Sequence, residues 1–130
     1  MRGLFHYTVE TTKPINEAIA SLEENLMEEK FGVLWQFNIK EKLQEKGVDF
    51  DQSYFVLEVC NPHEAKRVLS ENELVGYFLP CKIVVYESDG KTKIGLPKPS
   101  SLISMVNDSQ LEQIASDIES RLIEVIDKSK

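Results

Sequence analysis

The sequence predicts an α+β fold in which helices cover one face of a largely antiparallel sheet, and two patterns lead to this prediction. Ile83 to Tyr86 is a run of β-branched and aromatic residues typical of a central strand, and the Asp89-Gly90 pair that follows is a strong hairpin signal. Near the end of the chain, apolar residues recur at helical spacing, at Leu111, Ile114, Ala115, Ile118, Leu122, Val125 and Ile126. Strands joined by a tight turn, together with a long amphipathic helix, indicate mixed architecture.

The first part of the chain predicts strands that alternate with helices. Leu4 to Glu10 alternates in polarity, which indicates a strand with Phe5, Tyr7 and Val9 on its buried face. A helix capped by Thr12 follows, with apolar residues at positions 15, 18, 19, 22 and 26. A second strand then places Val33, Trp35 and Phe37 on one face, and a short helix from Ile39 to Lys46 ends at Gly47.

The second part of the chain carries the stronger start and stop signals. A third strand runs from about Tyr54 to Cys60, and Asn61-Pro62 is a preferred opening for a helix that ends before Gly76. Pro80-Cys81 leads into the central strand, whose hairpin partner follows Asp89-Gly90. Ser109 and Glu112 have the spacing of a capping box at the start of the last helix.

Composition narrows the class of protein. A chain of 130 residues with 42% hydrophobic residues is long enough for one domain over residues 1–130 with a substantial core. Acidic residues number 22 against 15 basic ones, a net charge of −7, so we expect neither nucleic acid nor an anionic membrane as partner. No apolar stretch approaches the length of a membrane span, and no secretory signal is visible, so the expected location is the cytoplasm.

Two cysteine segments are the candidate site for chemistry. If the strands that contain them are antiparallel neighbours, the end of one and the start of the other bring Cys60 and Cys81 close together. Alternation places Glu58 on the face of Cys60, and His63 follows in the first helical turn, where the helix N-terminus favours a thiolate. Two thiols, an imidazole and a carboxylate suit a tetrahedral zinc ion.

Three interpretations of this constellation stay open. The four residues bind zinc, another metal or a small ligand; or the thiols form a redox or nucleophilic pair; or both cysteines are small buried residues without chemistry. The last interpretation goes with a non-catalytic module that self-associates through sheet or helix faces. The aromatic residues Trp35, Phe37, Tyr54 and Tyr86 are expected in the core or on a sheet face.

The same two cysteine segments resemble a known family. Glu58-Val-Cys-Asn-Pro62 and Gly76-Tyr-Phe-Leu-Pro-Cys-Lys-Ile-Val-Val-Tyr-Glu87 are similar to the domain of unknown function 302, over nearly the whole chain. The resemblance implies a TATA-binding-protein-like fold, with a curved antiparallel sheet backed by helices, and no settled activity. It matches Cys60 and Cys81 but gives no support to a ligand role for His63, and Lys98-Pro99 stands where the family often has Asp-Pro. DNA binding does not follow from the fold, because the net charge has the wrong sign.

Overall fold

The computed structural model describes residues 4–130 and confirms the α+β class. Its five strands are β1 (His6–Thr11), β2 (Gly32–Asn38), β3 (Tyr54–Cys60), β4 (Cys81–Ser88) and β5 (Lys91–Pro97). Its helices are α1 (Ile15–Glu28), α2 (Ile39–Glu45), α3 (Pro62–Glu71), α4 (Pro99–Ile103) and α5 (Ser109–Ser129). Two 3₁₀ segments, Glu73–Phe78 and Ser104–Val106, follow α3 and α4.

The strands form one antiparallel sheet in the order β1-β5-β4-β3-β2. β4 and β5 form the predicted hairpin, in which Asp89 and Gly90 have φ angles of 54° and 75°, as a tight two-residue turn requires. β3 and β4 are neighbours, with Val59 opposite Cys81. The adjacency on which the cysteine hypothesis depends is therefore confirmed.

The core lies between one face of the sheet and the helices. On this inner face Leu57, Val59, Ile83, Val85, Ile94 and Leu96 are buried. α1 and α5 supply the helical half, and the predicted stripe of α5 is buried except for Ile114, which is half-buried. No helix within residues 4–130 has the length and apolar character needed to cross a membrane.

The opposite, outer face of the sheet is also rich in apolar side chains. A β-bulge at Leu34 inserts one residue into β2, so Val33 pairs with Val59 but Trp35 pairs with Glu58. The expectation that Val33, Trp35 and Phe37 share one face is therefore wrong. In the paired register the outer face carries six apolar or aromatic residues, namely Trp35, Phe37, Tyr54, Val56, Val84 and Tyr86.

Three smaller expectations are also corrected. Phe5 precedes β1 and is 62% exposed, because the buried side of β1 begins at Tyr7. Thr12 does not cap α1, whose N-cap residue is Pro14 without a side-chain hydrogen bond. α5 is capped by Asp108, not Ser109, since the Asp108 carboxylate accepts a hydrogen bond from the Leu111 N–H at 3.1 Å and its charge suits a helix N-terminus.

Candidate functional site

The Cys60-Asn61-Pro62 segment joins β3 to α3. Asn61 is 5% exposed, and its side-chain oxygen accepts hydrogen bonds from the backbone N–H groups of His63 (2.9 Å) and Glu64 (3.2 Å). Pro62 then occupies the first helical turn, where its fixed φ is favourable and its missing N–H costs nothing. The Asn-Pro part of this motif therefore has a structural role, which is to start α3.

A cluster of charges fixes the surroundings of this turn. Arg121 of α5 donates to the Glu64 carboxylate at 2.7 Å and to the Glu29 backbone carbonyl at 3.1 Å, and its guanidinium lies over the Phe31 ring. Burial alone would raise the pKa of Glu64, but hydrogen bonds from Arg121 and Arg67 outweigh it and lower the pKa below its usual value. Asn61 also donates weakly to the Glu29 carbonyl, at 3.5 Å. α1, α3 and α5 are thus joined beside the first cysteine segment.

Cys81 begins β4 on the inner face of the sheet, opposite Val59. Burial, and to a smaller extent the negative charge of a nearby Cys60 thiolate, raise the pKa of the Cys81 thiol from 9.0 to about 11. Cys81 is therefore a neutral thiol at physiological pH and a weak nucleophile.

Cys60 is the last residue of β3, one residue after Val59, and it lies near Cys81. Both cysteines are free thiols of intermediate burial. They border one small hollow of about 20 Å³, together with Asn61, Glu64 and Ile118. That volume holds about one water molecule.

The other two predicted ligands lie elsewhere. Glu58 forms an ion pair with Lys82 of the neighbouring strand at 3.1 Å, and His63 is exposed on α3. Neither residue borders the hollow between the cysteines. Within residues 4–130, no three His, Cys, Asp or Glu side chains are grouped so that they could hold a metal ion. Zinc coordination by Cys60, Cys81, His63 and Glu58 thus stays a prediction from the sequence.

A second, larger apolar recess beside Cys81 is a cavity of about 240 Å³, which we call the Cys81 cavity. One wall is formed by the ends of two inner strands, with Cys81 on β4 and Leu96 on β5. The other walls come from the 3₁₀ segment after α3, from α4 and from α5, and they include Val75, Phe78, Leu102, Ile103, Leu111, Ala115 and Ile118. Tyr77, which is 84% exposed, and Lys82, which is also exposed, line the cavity as well, so it reaches the protein surface.

This cavity was not predictable from the sequence. Its walls come from positions 68 to 118, which only the fold brings together. A partial signal was present in the apolar residues of two segments without clear periodicity, Glu73–Phe78 and Pro99–Val106. Val75, Phe78, Leu102 and Ile103 of these segments line the cavity around Cys81, whereas Leu74 and Met105 are exposed.

Fold and site together define a class of protein: an α+β domain with helices on one face of a five-stranded antiparallel sheet and an apolar cavity at the ends of two inner strands, beside a half-buried thiol. The chain belongs to the DUF302 family, a domain of unknown function, whose model matches residues 7–129.

One solved structure agrees closely with this one. The crystal structure of a DUF302 protein from Bacillus stearothermophilus is 58% identical in sequence and superimposes with a TM-score of 0.96, covering 98% of this chain and 100% of that one. No functionally curated protein matches the sequence. The comparisons therefore establish family and fold, as the two cysteine segments predicted.

Proposed function

We propose that this domain binds a small apolar molecule in the Cys81 cavity. The observation that carries the proposal is the cavity itself, with about 240 Å³ of space and walls that are mostly apolar. Binding sites for small molecules are typically concave, mostly apolar and equipped with a few polar groups that fix orientation. Here the neutral Cys81 thiol is a polar group on the cavity wall.

The cavity volume limits the size of the ligand. An apolar cavity of about 150 Å³ accepts benzene, so this one has room for a substituted ring or a short alkyl chain of about ten non-hydrogen atoms. A millimolar dissociation constant corresponds to about −4 kcal/mol, which is about −0.4 kcal/mol per atom and within the range for small ligands. Binding assays with simple compounds must therefore reach millimolar concentrations.

Indole and 1-hexanol are suitable test compounds, observed by methyl NMR of the full chain. We expect saturable shifts at Ile103 and Ile118, which line the cavity, and none at Leu26, which is buried elsewhere in the core. Ala115→Leu adds three carbons inside the cavity and should weaken binding at least tenfold. Ala20→Leu makes the same change at an exposed position of α1 and should leave binding unchanged. Absence of shifts at millimolar concentrations, or equal binding to Ala115→Leu, would contradict the proposal.

The alternative hypothesis, a zinc site at the two cysteines, is tested by a different experiment. Zinc at Cys60 and Cys81 needs two further ligands, and Glu58 is already paired with Lys82. Elemental analysis of protein purified without added metal tests this directly. One equivalent of zinc that disappears in the Cys60→Ser, Cys81→Ser double variant would replace the ligand proposal by a metal site. We expect no stoichiometric metal. The two free thiols also fit the cytoplasmic location expected from the sequence.

A further inference from the structure

The outer face of the sheet has the character of an interface. The side of an antiparallel sheet that faces solvent normally carries polar side chains. Here the corresponding positions include Trp35, which is 58% exposed, and the half-buried Phe37, Val56 and Val84. Tyr54 and Tyr86 stack on each other with ring centroids 5.1 Å apart on the same face. Within residues 4–130, Gly95 is buried, and the other paired positions of the outer face are at least partly exposed.

The charges of this face indicate which partner it fits. Glu58 is paired with Lys82 at 3.1 Å, and Glu10 lies 3.5 Å from Lys91 and 3.9 Å from Lys93. Among its Lys, Arg, Asp and Glu residues, the outer face therefore has three lysines and two glutamates. The chain as a whole has a net charge of −7, and the exposed side of α1 carries Glu17, Glu23, Glu24 and Glu28. The acidic excess therefore lies away from the outer face, where each glutamate has a lysine within 4 Å, so two copies repel each other less through their outer faces than through their helices.

We propose that a second copy of this chain covers the outer face, in a two-fold symmetric dimer whose axis runs parallel to the strands, between β3 and β4. This symmetry places β3 of each copy over β4 of the other. Glu58 then faces Lys82 of the partner subunit, and Val56 faces Val84 of the partner subunit, because each pair shares one row of the sheet. Charges of opposite sign and apolar side chains are thereby matched across the interface.

The area of the overlap fits a weak dimer. An axis between β3 and β4 superposes the strands β2 to β5 of the two copies and leaves β1 outside the overlap, and four strands about 4.8 Å apart and about seven residues long give about 450 Å². Two copies would thus bury about 900 Å², which is in the range of weak, transient protein interfaces. Sheets packed face to face lie about 10 Å apart, within reach of Glu and Lys side chains. We therefore expect association at micromolar concentrations.

Sedimentation equilibrium of the full chain tests the dimer, and Trp35 is the only tryptophan, so its fluorescence reports the interface directly. Between about 1 and 100 µM protein, we expect the mass to rise from one chain to two, and the Trp35 emission to shift to shorter wavelength as the outer face becomes buried. A single-chain mass throughout this range overturns the proposal.

Charge reversal tests the symmetry itself. Glu58→Lys places two lysines in each outer-face pair, and Lys82→Glu places two glutamates there, so each variant alone should weaken the dimer at least tenfold. Mixed in equal amounts, the two variants should form a heterodimer, because Lys at position 58 then faces Glu at position 82 and the native Lys82 faces the native Glu58. Exposed pairs contribute little to folding, so both variants should keep the wild-type circular dichroism.

Glu24→Lys makes the same charge change on the exposed side of α1 and serves as the matched control. It should dimerise at least as well as the wild type. If Glu58→Lys alone dimerises like the wild type, or if mixing the two charge-reversal variants restores nothing, the outer face is not the interface.

Discussion

The Cys81 thiol is expected to be nearly unreactive at neutral pH, and this expectation separates ligand binding from thiol chemistry. Cys60→Ser leaves Cys81 as the only cysteine and removes the smaller of the two causes of its raised pKa, while burial remains. A pKa of about 11 in place of 9.0 leaves about a hundredfold less thiolate at pH 8. Since the thiolate is the nucleophile, alkylation should slow by about the same factor.

Iodoacetamide labelling followed by mass spectrometry measures this rate, with protein unfolded in urea as the reference for each pH. In folded Cys60→Ser protein, we expect the rate at pH 8 to be at least fiftyfold below the unfolded rate, and to rise through pH 10 to 11. The Cys81→Ser variant reports Cys60 in the same way. A folded-state midpoint below pH 9 for Cys81 would refute the burial argument and favour the redox or nucleophilic interpretation.

The same pKa predicts a loss of stability in alkaline solution. The folded state holds the Cys81 proton up to about pH 11, whereas the unfolded chain releases it near 9.0. The free energy of unfolding that the Cys81 thiol contributes is therefore fully present below pH 9. It is lost as the pH rises through 11, by about 2–3 kcal/mol in total. The pKa of Tyr7, which donates to Asp127, is also raised, so the test is the difference in pH dependence between wild type and Cys81→Ser.

Three further predictions concern stability and are checked by urea unfolding. Asn61→Ala should lower the free energy of unfolding by about 1–2 kcal/mol, because two N–H groups of α3 lose their acceptor. Asn61→Asp should recover most of this loss. Equal stability of the wild type and both variants would contradict the capping role. Arg121→Ala should lower the free energy of unfolding by about 1–3 kcal/mol at pH 7 and by less at pH 3. The lowered pKa of Glu64 stabilises the folded state above the ordinary pKa of a glutamate, and this stabilisation is lost as the pH falls. A loss of stability that does not depend on pH would argue against the ion pair with Glu64. Gly90→Ala should lower the free energy of unfolding by about 1 kcal/mol, because an L side chain at a φ of 75° is strained. A steric clash is not expected, since no atom lies within 4 Å of the added methyl group. Unchanged stability would show that the turn relaxes.

Local signals in the sequence were enough for most of the secondary structure. The Asn61-Pro62 helix start, the Asp89-Gly90 turn and the apolar stripe of α5 each depend on residues a few positions apart, and the structure confirms all three. The family resemblance also depended on short segments. The neighbouring positions of β3 and β4 were inferred correctly from the assumption of an antiparallel sheet.

Features that depend on register or on distant segments were not predictable in this way. One inserted residue, Leu34, moves Trp35 to the outer face, and nothing in the local alternation shows it. Cys60 and Cys81 border one hollow, but Glu58 is paired with Lys82 and His63 is exposed on α3, which the strand order alone does not show. The Cys81 cavity forms where the 3₁₀ segment Glu73–Phe78, α4 and α5 meet the ends of β4 and β5. Only the tertiary fold brings these segments together.

The bulge at Leu34 also protects the protein against polymerisation. β2 is an edge strand, and a regular edge offers a row of unpaired N–H and C=O groups to which another chain can add as a further strand. The extra residue breaks that row and increases the local twist, which disfavours continuous edge-to-edge growth. A single irregularity in β2 thus turns an aromatic side chain toward the outer face and blocks the edge as a template for fibrils.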